Sequence, residues 1–188
     1  MLTPKPWKLL KSVDVSPSPH FPIEKRTYEL PNGKIVDDFY VTTLEDSAYI
    51  IPVTTEGKLV LIRMYKPGLD QVVVQFPAGR IEAKKHKSPR DAAAQELLEE
   101  AGIRIDESLL IPLGKLAAMT TKATEVTHVF VAPNVTINAQ QKLDETEEIE
   151  VFTATRAEVD EMIRRGEAIE AQMIAAWYLF TSINPSAQ

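Results

Sequence analysis

Three glutamates in the middle of the chain have the spacing that places them on one face of a helix. Glu96, Glu99 and Glu100 stand at i, i+3 and i+4 in a segment that ends at Gly102. Like charges at these spacings repel one another, and acidic side chains near the C-terminus of a helix also oppose its dipole. A solvated acidic surface and a metal site both fit the pattern. In a metal site, a divalent cation would convert the repulsion into ligation.

The residue types restrict which metal could bind. The chain contains no cysteine, and its three histidines are not clustered. Carboxylates would therefore be the main ligands, and their oxygens favour a hard cation, Mg²⁺ first and Mn²⁺ second. Magnesium is usually held by one or two carboxylates, while water and substrate phosphates complete its coordination shell. The glutamates therefore point to phosphate chemistry.

The composition restricts the class of protein. The 188 residues suffice for one domain with a sizeable core, and 44% hydrophobic with 26% charged residues is ordinary for a soluble globular protein. A net charge of -6 argues against a nucleic-acid backbone as the main partner. No segment has the length and apolarity of a signal peptide or a membrane span. Since the absence of cysteine also fits a reducing compartment, we expect a cytoplasmic protein without nucleic-acid or membrane partners.

The helix that carries the glutamates has clear sequence boundaries. Ser88 is a good N-cap and Pro89 occupies the favoured first helical position, so the helix should run from about Ser88 to Ala101. Thr155 and Glu158 have the spacing of a capping box, which predicts a second helix that ends near Arg165. A third amphipathic helix is predicted at about 170–180, with four core-facing side chains: Met173, Ile174, Trp177 and Phe180.

Most of the remaining chain predicts strands. Asn32-Gly33 and Glu56-Gly57 are turn signals between apolar runs, which predicts two hairpins. Many prolines among the first two dozen residues predict an extended arm, in which Trp7 could anchor against the body or a partner. Strands with few, short helices favour a mixed α/β sandwich over a doubly wound sheet. The predicted strands cover residues 26–30, 35–41, 48–53, 59–65, 72–76, 113–119, 127–132 and 149–153.

The stretch from Phe76 to Ile103 resembles the signature of the Nudix hydrolases. That signature is glycine, five residues, glutamate, seven residues, arginine, glutamate, an apolar residue, any residue, two glutamates, any residue, glycine and an apolar residue. Gly79 matches the first glycine, and the part from Glu96 onward matches residue by residue. The chain departs from it in three places: the loop is two residues longer, lysines and a histidine at 84–87 replace the first glutamate, and Gln95 replaces the arginine. In the family, the first glutamate and the arginine resemble supporting residues that can pair with each other. Because this chain lacks both, neither is left as a buried charge without its partner.

Similarity to the ADP-ribose pyrophosphatase branch covers most of the chain, including FPAGRIE, LPNGKIVDDFYV, LVLIRMYK and the end of the chain from EEIEVFTATRAEV. The resemblance implies a Nudix-type α/β/α sandwich with a mixed sheet, at 47–188, and a small N-terminal β-sheet subdomain, at 1–46. It implies a homodimer that exchanges its N-terminal domains and hydrolyses a nucleoside diphosphate sugar, first of all ADP-ribose, to AMP and ribose 5-phosphate. A hydrolase for another nucleotide sugar, such as GDP-mannose, and a non-catalytic Nudix-fold nucleotide-binding protein remain alternatives.

The resemblance also assigns roles to residues. It implies that Mg²⁺, or Mn²⁺, is held by the three glutamates and the backbone carbonyl of Ala78, so that Glu99 and Glu100 count among the catalytic residues. Within the acidic segment 144–150 it places Glu145 as the general base and Glu147 as a further metal ligand.

Several polar residues outside the signature are weaker candidates. Arg63 and Lys66 are expected to contact phosphate, and Arg26 with Tyr28 to contact a base or ribose across a dimer; ordinary surface roles explain all four as well. The lysines at 84, 85 and 87 could attract an anionic substrate or balance nearby acids. Three further side chains are expected to be structural or solvent-facing: His86, His128 and Trp177.

Overall fold

The computed structural model describes residues 3–183, and the side chains up to Ser182. The chain forms two compact units. The smaller unit contains the chain up to Glu45 together with Ala117–Glu125, and the larger unit contains Asp46–Leu116 and the chain from Val126 onward.

The smaller unit is a three-stranded antiparallel sheet of β1 (Lys8–Asp14), β2 (Ile23–Glu29) and β3 (Ile35–Thr42), in that order. The predicted hairpin is present, and Gly33 at its turn has a φ of 82°, which glycine adopts without strain. The first strand was not predicted, because prolines dominate its surroundings. The seven residues of β1 contain no proline, and β1 is an edge strand, the position at which neighbouring prolines are tolerated.

The aromatic side chains of the smaller unit pack together. The ring of Trp7 lies 5.8 Å from that of Tyr28 and 5.7 Å from that of Phe39, both edge to face. The segment Ala117–Glu125 adds to this unit, since the N–H of Thr42 donates to the carbonyl of Lys122 at 2.8 Å. The strand predicted at 113–119 therefore ends early, at Leu116, because the following residues turn toward β3 instead of continuing a sheet.

The larger unit is built on one mixed sheet. Its central path runs β10-β5-β4-β9-β8, with β6 paired to β5 and the short β7 paired to β4. The β4–β9 pairing is parallel and the others are antiparallel. The strands are β4 (Ser47–Thr54), β5 (Leu59–Lys66), β6 (Gln71–Gln75), β7 (Ala78–Arg80), β8 (Ile111–Leu116), β9 (Thr127–Val135) and β10 (Ile149–Ala154).

Helices cover both faces of this sheet. Helix α1 (Pro89–Ala101) packs Ala93 and Leu97 against one face, in a core with Ile50 and Phe130. Helices α2 (Arg156–Arg165) and α3 (Ala171–Ile183) cover the other face, in a second core; it includes Tyr49, Leu61, Phe76, Val159, Met173, Trp177 and Phe180. The arrangement confirms the predicted α/β/α sandwich with an additional small N-terminal sheet.

One core prediction in α3 is wrong. Met173, Trp177 and Phe180 are buried, but Ile174 is 41% exposed. The buried residues recur at three- and four-residue intervals, and Ile174 lies one step, about 100°, around the helix from Met173.

None of the helices in the described part of the chain has the length and apolarity needed to span a membrane.

Candidate metal and diphosphate site

The helix that carries the three glutamates is capped at both ends. Ser88 is the N-cap, and its hydroxyl accepts a hydrogen bond of 3.1 Å from the N–H of Asp91, while Pro89 begins the helix. Gly102 ends it in the left-handed conformation, with a φ of 63°. These are the predicted caps. They define the ends of α1, while the burial of Ala93 and Leu97 sets which face, and so which glutamates, turn toward the protein.

The three glutamates differ in exposure. Glu99 is exposed and Glu96 is half-buried, whereas Glu100 retains only 4% of its accessible surface. A helix that pointed its acids into solvent would expose all of them. The alternative of a merely solvated acidic face therefore does not describe this helix, because Glu100 is turned into the protein.

The turn before the basic loop touches both buried carboxylates. The N–H of Ala78 donates a hydrogen bond of 2.8 Å to Oε2 of Glu100. The carboxylate of Glu96 lies so close to Gly79 that a Cβ at this position would overlap it. The short strand β7 holds the turn in place by pairing Ala78 with Tyr49 of β4. Glycine thus permits this close approach, and a larger residue at this position would displace the Glu96 carboxylate.

Burial raises the pKa values of both carboxylates. Loss of water raises the pKa of Glu96 to about 7, and the negative charges of Glu99 and Glu147 add to the effect. Burial likewise raises the pKa of Glu100 to about 8; the hydrogen bond from Ala78 works in the opposite direction, and the charge of Glu96 again raises it. Each raised pKa means that the charged form of the carboxylate is less stable in the protein than in water, because nearby groups do not fully compensate its charge.

These carboxylates suit a hard divalent cation. Among the described side chains, no lysine, arginine or histidine forms an ion pair with Glu96 or Glu100. Two desolvated, unpaired carboxylates lined by a backbone turn are oxygen donors of the kind Mg²⁺ binds. In the described part of the chain, no three acids or histidines converge tightly enough to enclose a cation.

The acidic segment before β10 directs Glu147 toward the helix. Glu147 is half-buried, and its charge raises the pKa values of Glu96 and Glu100. Its carboxylate also accepts a hydrogen bond of 3.0 Å from the N–H of Asp144, which orients it within the turn. Glu145 is exposed and is not among the main groups that shift either pKa. Of these two acids, Glu147, the predicted metal ligand, therefore has the larger effect on the pKa values of Glu96 and Glu100.

The basic loop pairs Lys85, which was expected to attract an anionic substrate or to balance nearby acids, with Glu82, which sequence reasoning passed over. Nζ of Lys85 lies 2.6 Å from Oε1 of Glu82, and this hydrogen bond raises the pKa of Lys85, with further contributions from Asp144 and Glu99. Glu82 stands in the FPAGRIE segment, so its resemblance to family members was the available signal. Nδ1 of His86 accepts a hydrogen bond of 3.0 Å from the N–H of Glu82, so this histidine helps to shape the loop.

Lys66 is the strand lysine that faces the carboxylates. Its positive charge lowers the pKa of Glu100, and its Nζ lies 3.9 Å from the carboxylate of Glu170. The other oxygen of Glu170 accepts a hydrogen bond of 3.0 Å from the hydroxyl of Tyr49, a buried residue. Neither Tyr49 nor Glu170 was predicted as part of the site, because the apolar pattern around each indicates only core packing.

Arg63 is occupied by other partners. Its guanidinium donates to Glu150 at 3.1 Å and lies 4.0 Å from the centre of the Phe152 ring. In the smaller unit, Arg26 donates to Glu24 at 2.7 Å and to the hydroxyl of Tyr28 at 3.3 Å. Substrate contacts by these two arginines remain predictions.

The residues expected to be structural have structural partners. Nε2 of His128 lies 3.1 Å from Oδ2 of Asp46. The indole N–H of Trp177 donates to Asp160 at 2.7 Å, and the ring is buried. Tyr178, the next residue along the helix, is 70% exposed.

Comparisons with known proteins identify the family. The model of the NUDIX domain matches residues 43–177, which is most of the chain. The chain belongs to the Nudix family. Its sequence is 30% identical over 148 residues to the ADP-ribose pyrophosphatase of Bacillus subtilis (strain 168), covering 77% of this chain and 76% of that protein. The predicted family and its ADP-ribose pyrophosphatase-like branch are therefore confirmed.

Two further relatives agree with a Nudix protein of this kind. The methanol dehydrogenase activator of Bacillus methanolicus is 29% identical over 153 residues, which cover 80% of each chain. A solved crystal structure of an ADP compounds hydrolase superposes with a TM-score of 0.83 and covers 97% of this Nudix chain and 96% of its own. At 22% identity, that structure supports the fold alone.

Proposed function

We propose that this Nudix protein hydrolyses the diphosphate bond of a nucleoside diphosphate sugar, with ADP-ribose as the first candidate and AMP and ribose 5-phosphate as products. The observation that carries the proposal is the pair of carboxylates, half-buried Glu96 and buried Glu100, that lie against the turn at Ala78 and Gly79 without an ion-pair partner among the described side chains. The similarity to an ADP-ribose pyrophosphatase supports the choice of substrate.

We propose Mg²⁺, with Mn²⁺ as a substitute, as the cofactor. Glu96, Glu99 and Glu100 would hold it together with the backbone carbonyl of Ala78, and Glu147 would add a carboxylate from the acidic segment. A divalent cation held by these residues would lower the pKa of a bound water and offset the charge of the phosphate oxygens. The raised pKa values of the two buried glutamates support this assignment, since a cation would restore their charged forms.

In the proposed reaction, the oxygen of a water molecule forms a bond to one phosphorus, and the bond from that phosphorus to the bridging oxygen breaks. The bridging oxygen leaves on the second phosphate, and the water loses a proton to a base. The resemblance predicts Glu145 as this base. Glu147, in the same segment, is the acid whose charge raises the pKa values of Glu96 and Glu100. Lys66, whose charge also reaches Glu100, would bind a phosphate oxygen.

We further propose a homodimer that exchanges its N-terminal unit, residues 1–46, in which Arg26 contacts the substrate of the partner. The smaller unit supports this with several large apolar side chains that are about half exposed: Trp7, Leu9, Leu10, Val13, Val15, Phe21 and Tyr40. Sedimentation velocity tests the dimer, and a monomer at every concentration would contradict it.

We also propose a cytoplasmic location, which the absence of cysteine supports.

The decisive experiment is a substrate panel with Mg²⁺. It should include ADP-ribose, other ADP-sugars, UDP-sugars and GDP-mannose, with products separated by ion-exchange chromatography. We expect ADP-ribose to give AMP and ribose 5-phosphate with the highest kcat/KM. Preference for GDP-mannose would select the other hydrolase. Tight binding of one nucleotide without turnover of any would select a non-catalytic binding protein, an alternative that Gln95 and the missing first glutamate keep open.

A further inference from the structure

The C-terminal end of α1 leaves backbone carbonyls that need partners, as every helix does. The N–H groups of Gly102 and Ile103 bond to the carbonyls of Leu98 and Leu97, which closes the helix on itself. The carbonyls of Glu99, Glu100 and Gly102 are bonded from outside the helix, by the segment 138–142 that leads into the acidic residues.

Backbone groups make most of these external bonds. The N–H groups of Asn138 and Ala139 donate to the carbonyl of Gly102 at 3.0 and 2.9 Å, and the N–H of Lys142 donates to the carbonyl of Glu99 at 2.9 Å. The segment approaches so closely that a Cβ on Gly102 would lie 2.5 Å from the carbonyl oxygen of Ala139. The segment is therefore seated on the end of α1 in a fixed register.

One side chain also bonds to the end of α1. The amide Nε2 of Gln141 donates to the carbonyl of Glu100 at 2.7 Å and to the carbonyl of Ile149 at 3.3 Å. A primary amide has two N–H donors, so each carbonyl receives one. Ile149 is the first residue of β10, where it pairs with Met64. Gln141 thus joins both ends of the loop 142–148 to each other and to the helix.

The loop closed in this way carries Glu147. A second pair of hydrogen bonds shapes its tip: the N–H of Glu147 donates to the carbonyl of Asp144, and the N–H of Asp144 donates to the carboxylate of Glu147, both at 3.0 Å. The loop is anchored at its base to the backbones of Glu99 and Glu100, the same residues whose side chains are candidate ligands. Any movement of the base would change where Glu147 lies relative to them.

We propose that Gln141 is a positioning residue whose amide fixes the base of the loop 142–148 on the end of α1 and thereby fixes the place of Glu147 relative to the helix that carries Glu96 and Glu100. This inference rests on the proposed function, since it assigns Glu147 to the reaction. Gln141 itself touches no reacting atom. Its contribution is to keep the separation between acids on two different elements within the narrow range that catalysis tolerates.

The test is a double-mutant cycle measured by steady-state kinetics with ADP-ribose and Mg²⁺. Gln141→Met keeps the length of the side chain and removes both donors. We expect kcat to fall by about 10- to 100-fold, since a misplacement of about 1 Å can cost about 100-fold, while KM should stay within about twofold of the wild type. The exposed neighbour Gln140 supplies the matched control, Gln140→Met, which should leave both parameters unchanged.

The cycle with Glu147→Gln separates positioning from a general structural role. If Gln141 acts through Glu147, the double variant should be no slower than Glu147→Gln alone, because the group being positioned is already gone. Losses that multiply in the double variant would overturn the proposal. So would a kcat of Gln141→Met equal to that of Gln140→Met.

Hydrogen exchange gives a second readout that does not need turnover. Amides of residues 142–148 should exchange faster in Gln141→Met than in Gln140→Met, while α1 keeps its protection; equal exchange would overturn the proposal. If Gln141→Met does not fold, Gln141→Asn takes its place, since the shorter amide cannot span both carbonyls and should show the same effects. A wild type that turns over no nucleotide would instead overturn the proposed function.

Discussion

The N–H of Ala78 and the carboxylate of Glu100 are joined by a hydrogen bond of 2.8 Å, although 22 residues separate them in the chain. This bond ties the turn after β6 to the last turn of α1. It gives a buried carboxylate one donor where charge compensation would need more, since burial still raises the pKa of Glu100 to about 8. The fold therefore holds the Glu100 carboxylate in place while burial leaves its charged form without full compensation.

The first prediction concerns stability and pH. The folded-state pKa values of Glu96 and Glu100, about 7 and about 8, lie above the ordinary value of 4.5. Between these limits the folded state keeps protons that the unfolded state has lost, so the free energy of unfolding should fall as pH rises. With EDTA present, Tm should decrease from about pH 5 to about pH 8.

Two comparisons isolate this effect from other titrations. Glu100→Gln should weaken the pH dependence of Tm, because the amide cannot lose a proton. Mg²⁺ should raise Tm more at about pH 8 than at about pH 5, since the cation binds the charged carboxylates. An equal pH dependence in the variant and the wild type would contradict the assignment.

The second prediction concerns the helix glutamates in catalysis. Glu99→Gln or Glu100→Gln should lower kcat at saturating Mg²⁺ by more than the roughly 10- to 100-fold loss that outer-shell changes cause at metal sites. The far-ultraviolet circular dichroism should not change. The exposed Glu107→Gln serves as the control and should retain full activity. Unchanged turnover in Glu100→Gln would remove this residue from the site.

The third prediction concerns the turn. Gly79→Ala should displace the carboxylate of Glu96, because the new Cβ would overlap it. Activity should fall strongly and the Mg²⁺ concentration for half-maximal rate should rise. Gly68→Ala is the matched control, since a Cβ at Gly68 would meet no atom within 4 Å. A fully active Gly79→Ala would show that the position of Glu96 is not critical.

The fourth prediction ranks the acids of the loop. Glu147→Gln should lower kcat more than Glu148→Gln, because the charge of Glu147 acts on both buried glutamates. Glu145→Gln tests the predicted base, whose loss should lower kcat without changing the Mg²⁺ requirement. If Glu148→Gln is the slowest of the three, the role belongs farther along the segment.

The fifth prediction concerns phosphate binding. Lys66→Met should raise KM by about 10- to 100-fold, which corresponds to the approximately 1.5–3 kcal/mol of a charged hydrogen bond. Glu170→Gln, which removes the partner of Lys66 at 3.9 Å, should have a smaller effect in the same direction. Lys58→Met, on an exposed turn, supplies the control. Loss of kcat with an unchanged KM would argue against a role in ground-state binding.

The sequence predicted the site best where local chemistry determines structure. Ser88, Pro89 and Gly102 fix the ends of α1 through local hydrogen bonds and backbone preferences, so the face that bears the glutamates follows from the sequence. The resemblance then supplied the turn at Gly79. Neither source predicted that Glu100 would be buried while Glu99 is exposed, because burial depends on where β7 crosses the helix.

Long-range contacts account for what the sequence did not predict. Gln141, Tyr49 and Glu170 each act through partners far along the chain, and no periodicity marks such pairs. Among the described residues, the missed strand β1 is an edge strand that pairs with β2 alone, so its formation depends on pairing more than on its own composition. Ile174 was misassigned because the helix buries a narrower stripe than its apolar pattern suggests.

The parallel pairing of β4 with β9 has a consequence for how the protein is made. Ser47 of β4 pairs with Thr127 of β9, so β4 at the centre of the sheet pairs with a strand that is synthesised 80 residues later. Pairings this distant in sequence close slowly. Helix α1 and the strands β4 and β7 that it contacts are synthesised before β9, so the helix can pack against these strands first and the parallel pairing with β9 follows.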